Sequence, residues 1–207
     1  MKVLTYPAYE AWLGSQSAWL QAQGHYDDDE CDDPVEEYVN GVVFYSGNQC
    51  LDVISPAPMT VVDGDLVVNQ LSHEFNSGKL VVTGNLRVPT ITRMDIDIVV
   101  GGDLHAHMLC LNTSNDYGLS VGGDLMCDYF AEYGCHVEVG GKIICPLVLN
   151  MMNSIRARGG LTGKLLDRRG GSDVDDLLVE PALYEQTRFS EDGFIAQVLK
   201  GLSPYRS

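Results

Sequence analysis

Between residues 60 and 163 apolar and polar positions alternate in short runs, and each pair of runs is separated by a glycine. With Gly64, Gly84, Gly102, Gly123, Gly141 and Gly159 as anchors, the segments read TVVDGDLVV, LVVTGNLRV, IVVGGDLHA, LSVGGDLMC, VEVGGKIIC and IRARGGLTG. Spacings of 20, 18, 21, 18 and 18 residues make this one unit used six times. Four positions before each glycine stand Thr60, Leu80, Ile98, Leu119, Val137 and Ile155; two before stand Val62, Val82, Val100, Val121, Val139 and Ala157. Two after come Leu66, Leu86, Leu104, Leu125, Ile143 and Leu161, and four after come Val68, Val88, Ala106, Cys127, Cys145 and Gly163. A further apolar column, seven after, holds Leu71, Ile91, Leu109, Phe130 and Val148. Alternation with period two marks strands that bury one face. Each unit therefore supplies inward residues on three short sides, and its glycine is expected to take an unusual backbone conformation at a corner.

A chain that turns every few residues and repeats after 18 to 21 is predicted to coil as a β-solenoid, an all-β, single-stranded β-helix of about six coils. Like columns then stack at about 4.8 Å, the spacing of neighbouring strands. The leucine-rich-repeat pattern LxxLxLxxN/C is absent, and so is the six-residue period of left-handed hexapeptide helices; a right-handed coil is expected. The chain divides into residues 1–59 (helix, acidic loop and irregular first coil), 60–163 (repeats) and 164–207 (helical cap), as one continuous domain. Residues 8–23 carry Trp12, Leu13, Trp19 and Leu20 at helical spacing. A short helix is read at Asp173–Val179, stopped by Pro181. The last helix is read from Ser190 as N-cap, with Glu191 and Asp192 in its first turn and Phe194, Ile195, Val198, Leu199 and Leu202 as its stripe. These helical ends are expected to cover strand edges that would otherwise pair with other chains.

With 45% apolar residues in 207, the chain can bury a sizeable core. Charge changes the picture more: 13 Lys and Arg stand against 29 Asp and Glu, a net of −16. Direct binding to nucleic acid or an anionic membrane is excluded on that balance, whereas a basic protein partner is favoured. No run reaches the roughly 18 apolar residues of a spanning helix, and Glu10 interrupts any signal-like start, so a cytoplasmic protein is expected. Residues 1–37 contribute −8, half of the net charge. The candidate partner-binding residues are Asp27, Asp28, Asp29, Glu30, Asp32 and Asp33, with Asp173, Asp175 and Asp176 as a second cluster. A solvated loop is the competing reading of the same run, and the spacing and glycine of a calcium loop are missing. Arg156, Arg158, Lys164, Arg168 and Arg169 form a basic stretch suited to the chain's own acids.

Six cysteines without CxxC spacing read as reduced, mostly buried thiols. His105 and His107 share a strand face, and His107 is level with Asp128 one coil on. A metal or acid-base site there needs a third ligand or a nucleophile, and the neighbouring coils offer Met126 and Arg87, which help little, so a structural or merely exposed role is expected. Cys127 and Cys145 share an inward column beside Ala106, which reads as core packing. Asp65, Asn85, Asp103, Asp124 and Lys142 form an outward ladder that turn chemistry explains. No catalytic residues, metal or cofactor are expected, and the chain reads as a non-enzyme.

The units VVDGDLVV, VVGGDLHA and SVGGDLMC resemble the bactofilin-like, polymer-forming β-helix proteins of bacteria over about residues 60–163. The acidic and aromatic flanks, and the turn HEFNSGKL, are similar to the capped relatives that occur beside bacterial polymorphic toxins and are taken to be immunity proteins. That resemblance implies a cytoplasmic, non-catalytic protein that binds and neutralises a cognate basic toxin domain. A bactofilin-like scaffold that self-assembles through the solenoid ends is the alternative it implies. The acidity alone leaves a third, a nucleic-acid mimic.

Overall fold

The computed structural model describes residues 1–24, 41–56, 59–71, 78–92, 94–113, 117–168, 178–179, 182–184 and 188–206. The chain opens with strand β1 (Lys2–Leu4) and helices α1 (Tyr6–Leu13) and α2 (Ala18–Gly24). Rungs follow as pairs of strands: β2 (Val42–Ser46) with β3 (Gln49–Ile54), β4 (Met59–Asp63) with β5 (Leu66–Leu71), β6 (Lys79–Val82) with β7 (Leu86–Thr92), and β8 (Asp97–Val100) with β9 (Leu104–Asn112). The fifth rung has β10 (Gly118–Val121), β11 (Leu125–Met126) and β12 (Tyr129–Tyr133). The last two pair β13 (His136–Val139) with β14 (Ile143–Asn150), and β15 (Ile155–Ala157) with β16 (Leu161–Asp167). A small hairpin, β17 (Leu183–Tyr184) and β18 (Arg188–Phe189), leads into α3 (Glu191–Leu199).

Neighbouring rungs are joined by parallel ladders, so the repeats form a β-solenoid as the alternation requires. The register is the one read from the glycines: Leu86, Leu104, Leu125, Ile143 and Leu161 are successive partners, and so are Leu80, Ile98, Leu119, Val137 and Ile155. These columns, with the one at Ile91, Leu109, Phe130 and Val148, make the interior. The long second strand of each coil bends between its inward columns. Cys127 and Asp128 interrupt the fifth rung there, and the register of β14 shifts between Ile144 and Leu147. Each coil thus has three sides.

The helices stand at both ends of the chain, as expected, but what they cover is outer faces. The outward positions of side one are apolar on the early rungs: Val42, Phe44, Met59, Val61, Val81 and Val99 pack with Tyr9, Leu13 and Leu20. Tyr9 is fully buried and donates its hydroxyl to Gly24 O at 2.9 Å, which ties α1 to α2. The single helix expected over 8–23 is two, because Gly14 ends the first and Ser17 starts the second, its Oγ accepting from Leu20 N. Side three is apolar outside at Met108, Cys110, Ala131 and Leu149, and Phe194 and Val198 of α3 lie on it. Ser190 caps α3 as read, accepting from Gly193 N at 3.1 Å. Leu199 and Leu202, assigned to the stripe, are exposed instead, because the helix ends at Leu199 and its packed face is already filled. The edge of side one is closed by β1, which pairs antiparallel with β2. Most of the short helix read at 173–179 lies outside the described residues, and Leu178 forms an isolated bridge with Tyr205.

The corner glycines correct one expectation. Among the six anchors only Gly64 has a positive φ, 152°. Gly84, Gly102, Gly123 and Gly141 serve for space: a Cβ on each would strike the Asp or Asn Oδ1 of the rung before, and the backbone of the preceding corner glycine. Gly123→Ala is therefore expected to cost about 2–3 kcal/mol, since the Gly102 backbone cannot retreat. Gly47 has φ 76° but open space around it, so Gly47→Ala should cost only about 1 kcal/mol of left-handed strain. Urea midpoints of the two variants test this ordering.

Candidate functional site

All nine candidate partner-binding residues, Asp27, Asp28, Asp29, Glu30, Asp32, Asp33, Asp173, Asp175 and Asp176, lie outside the described residues. What the structure provides is the surface of the coils. Two sides are covered by the chain's own helices, and among the described residues side two is bare. Its outward positions form two columns in register across the rungs. The first is Cys50, Val67, Arg87, His105, Met126, Ile144 and Thr162. The second contains Asp52 and Asn69, hydrogen-bonded at 3.1 Å, and His107 and Asp128, paired at 2.7 Å. Val67 and Ile144 are exposed, and no described helix approaches this face.

The corner between sides one and two carries the acidic ladder, and its chemistry is more specific than a turn. Asp65 N donates to Asn48 Oδ1, Asn85 N to Asp65 Oδ1, Asp103 N to Asn85 Oδ1, Asp124 N to Asp103 Oδ1, and Lys142 N to Asp124 Oδ1, all at 2.7–2.9 Å. Each carboxylate or amide thus hydrogen-bonds the next rung's backbone, and the glycine before it leaves room for that approach. Asn48 starts the ladder and was not singled out in the sequence; it follows Gly47 as Asp65 follows Gly64. The second carboxylate oxygens remain for solvent or a partner. Charge is also segregated along the axis. The first five rungs hold Asp52, Asp63, Asp65, Asp95, Asp97, Asp103, Asp124, Asp128 and the buried Glu132 against Lys79 and Arg87 among described residues. The last two hold Lys142, Arg156, Arg158, Lys164 and Arg168 against Glu138 and Asp167. The basic stretch is partly matched by the chain's own acid, since Arg158 bonds Glu138 at 3.0 Å and lies over the Trp19 ring.

The reactive groups among the described residues are His107 with Asp128, and the thiols Cys127, Cys145 and Cys135. Asp128 holds Nδ1 of His107 and the Tyr129 ring stands edge-on at 5.4 Å, so Nε2 is the nitrogen that Asp128 does not engage. Cys127 and Cys145 are buried in the core column as read. The neighbouring Cys145 sulfur, then burial, keeps Cys127 a thiol well above the ordinary cysteine range. Burial, then the Glu132 carboxylate, does the same for Cys135. Protonated, enclosed thiols are poor nucleophiles. A cavity of about 310 Å³ opens beside Thr90 and Thr92, and its described lining has no titratable side chain. Among the described residues, no helix is long and apolar enough to cross a membrane. Comparison with protein families, with curated proteins and with solved structures yields no match.

Proposed function

We propose that the protein is a non-catalytic binding protein of the immunity type, which holds a basic effector domain and blocks its active site. The observation that carries the reading is the segregation of acids onto the first five rungs, beside a sheet face that the described helices leave bare. Such a field speeds encounter with a basic partner and disfavours acidic ones. The acidic run at residues 27–33 adds to the same sign. A rigid solenoid suits the task, because a preformed face loses little conformational freedom on binding. The strand edges favour a second reading, a scaffold that self-assembles: among described residues β3 and β16 pair on one side only. Sedimentation of the purified chain separates the two, filaments supporting the scaffold and a discrete particle the inhibitor.

The ladder offers a clean electrostatic test. Asn85 shows that an amide fills a ladder position, so Asp65→Asn, Asp103→Asn and Asp124→Asn together keep every Oδ1 acceptor while removing three charges. The triple variant is expected to melt like the parent. It is expected to bind a captured basic effector about tenfold more slowly at low salt, with the difference shrinking as the screening length falls below about 10 Å. Association kinetics in a salt series provide the readout. A cognate partner that is acidic would overturn the reading; an unchanged rate would remove this corner from the interface.

A further inference from the structure

We propose that His105, His107 and Met126 on the bare side of the solenoid form a copper(I) site. The two histidines occupy alternate positions of β9, so both rings leave the same face, about 7 Å apart along the strand. Met126 is the direct register partner of His105 on the next rung, and therefore a diagonal neighbour of His107. All three are partly or fully open to solvent. Asp128 is occupied: its Oδ2 lies 2.7 Å from His107 Nδ1, the outer-shell arrangement that fixes a ligating imidazole. Nε2 is then the free nitrogen, and the Tyr129 ring 5.4 Å away limits how the imidazole turns.

The donor set selects the metal. Zinc sites are filled by Cys, His, Asp and Glu, and no group of three such side chains among the described residues can hold an ion. The third donor here is a thioether, a soft ligand that favours copper(I) and that imidazoles complement. Arg87, in register with His105 on the other side, is a cationic neighbour, and the Asp128 carboxylate stands opposite it. The site is one for binding and involves no change of oxidation state. It is independent of the partner-binding reading.

The test uses the full chain with Cys31→Ser and Cys50→Ser, so that neither the exposed Cys50 thiol nor Cys31, which lies outside the described residues, competes. Copper(I), supplied without oxygen, is titrated against the chromophoric chelator bathocuproine disulfonate. One ion per chain is expected. His107→Ala and Met126→Leu are each expected to weaken it at least about tenfold, and Asp128→Ala about tenfold through the lost outer-shell bond. Zinc(II) offered in its place is expected to be lost on desalting. Matching circular dichroism and melting curves establish that the variants are folded. Copper that is not retained, that is held equally by the His107 and Met126 variants, or that is displaced by one tightly bound zinc would overturn the proposal.

Discussion

Leu104→Asp is expected to leave the protein largely unfolded, while His105→Asp, one residue further on, melts close to the parent. Leu104 is fully buried between Leu86 and Leu125 in the most regular column of the core. Truncating such a leucine costs about 2–5 kcal/mol for lost contacts and the cavity left behind. A carboxylate placed there also finds no partner, and an unpaired buried charge adds several kcal/mol or forces protonation. The sum approaches the 5–15 kcal/mol that hold a typical domain folded. His105 points the other way, onto the bare side, next to Arg87. An aspartate at 105 gains that neighbour and stays hydrated, so a change within about 1 kcal/mol is expected. Thermal melts of both variants give the comparison. Equal midpoints would show that the inward and outward positions are wrongly assigned.

The contrast rests on a register that is legible in the sequence alone, for a physical reason. Period-two alternation fixes which face is buried, and a slip of one residue would invert every position, so a sequence repeated six times over-determines the register. The flanks were legible only in part. Trp12, Leu13, Trp19 and Leu20 announced a helix but not the break between Gly14 and Ser17, nor which surface it covers. That surface was written in the outward column itself: Val61, Val81 and Val99 are apolar where Ser120, Glu138 and Arg156 are polar, and α1 and α2 pack where the apolar ones are. Likewise Met108, Cys110, Ala131 and Leu149 break the outward polarity of side three beneath α3. The corner glycines are legible as a column, but only at Gly64 does the unusual backbone conformation account for one; elsewhere the cause is close approach between rungs, which leaves no trace in the local sequence. The surface proposed for a partner is the least legible part. The ladder Asp65, Asn85, Asp103 and Asp124 was visible as a column, but its bonds to the next rung's backbone depend on the third dimension.

Glu132 is the clearest case of a residue that composition hides and geometry exposes, and its removal is the second large effect expected. It stands nine positions after Gly123, inward, where the rung before has Leu111 and the rung after Asn150. Its side chain is fully buried. Oε1 accepts from Gly134 N at 2.7 Å and Cys135 N at 2.9 Å; Oε2 accepts from Met152 N at 3.1 Å and Asn153 N at 3.0 Å. One carboxylate therefore fastens the corner of its own rung and the corner of the next. Glu132→Ala strands N–H donors of which at least those of Gly134 and Cys135 are enclosed, at about 1–3 kcal/mol each. A total near 3–5 kcal/mol is expected, as for breaking a buried, fully hydrogen-bonded charge. Glu132→Gln keeps the shape but turns one oxygen into a donor facing donors, so it is expected to recover less than half of the loss. Glu138→Gln is the control. That carboxylate bonds Arg158 near the surface, and its removal should cost less than about 1 kcal/mol. Denaturant midpoints rank the three. Alkylation supplies an independent readout: with the corner loosened, the Cys135 thiol, buried and protonated in the parent, should react with iodoacetamide before the protein unfolds globally. A Glu132→Ala variant within 1 kcal/mol of the parent, with Cys135 still shielded, would mean that water replaces the carboxylate and that the corner is held by the β-ladders alone.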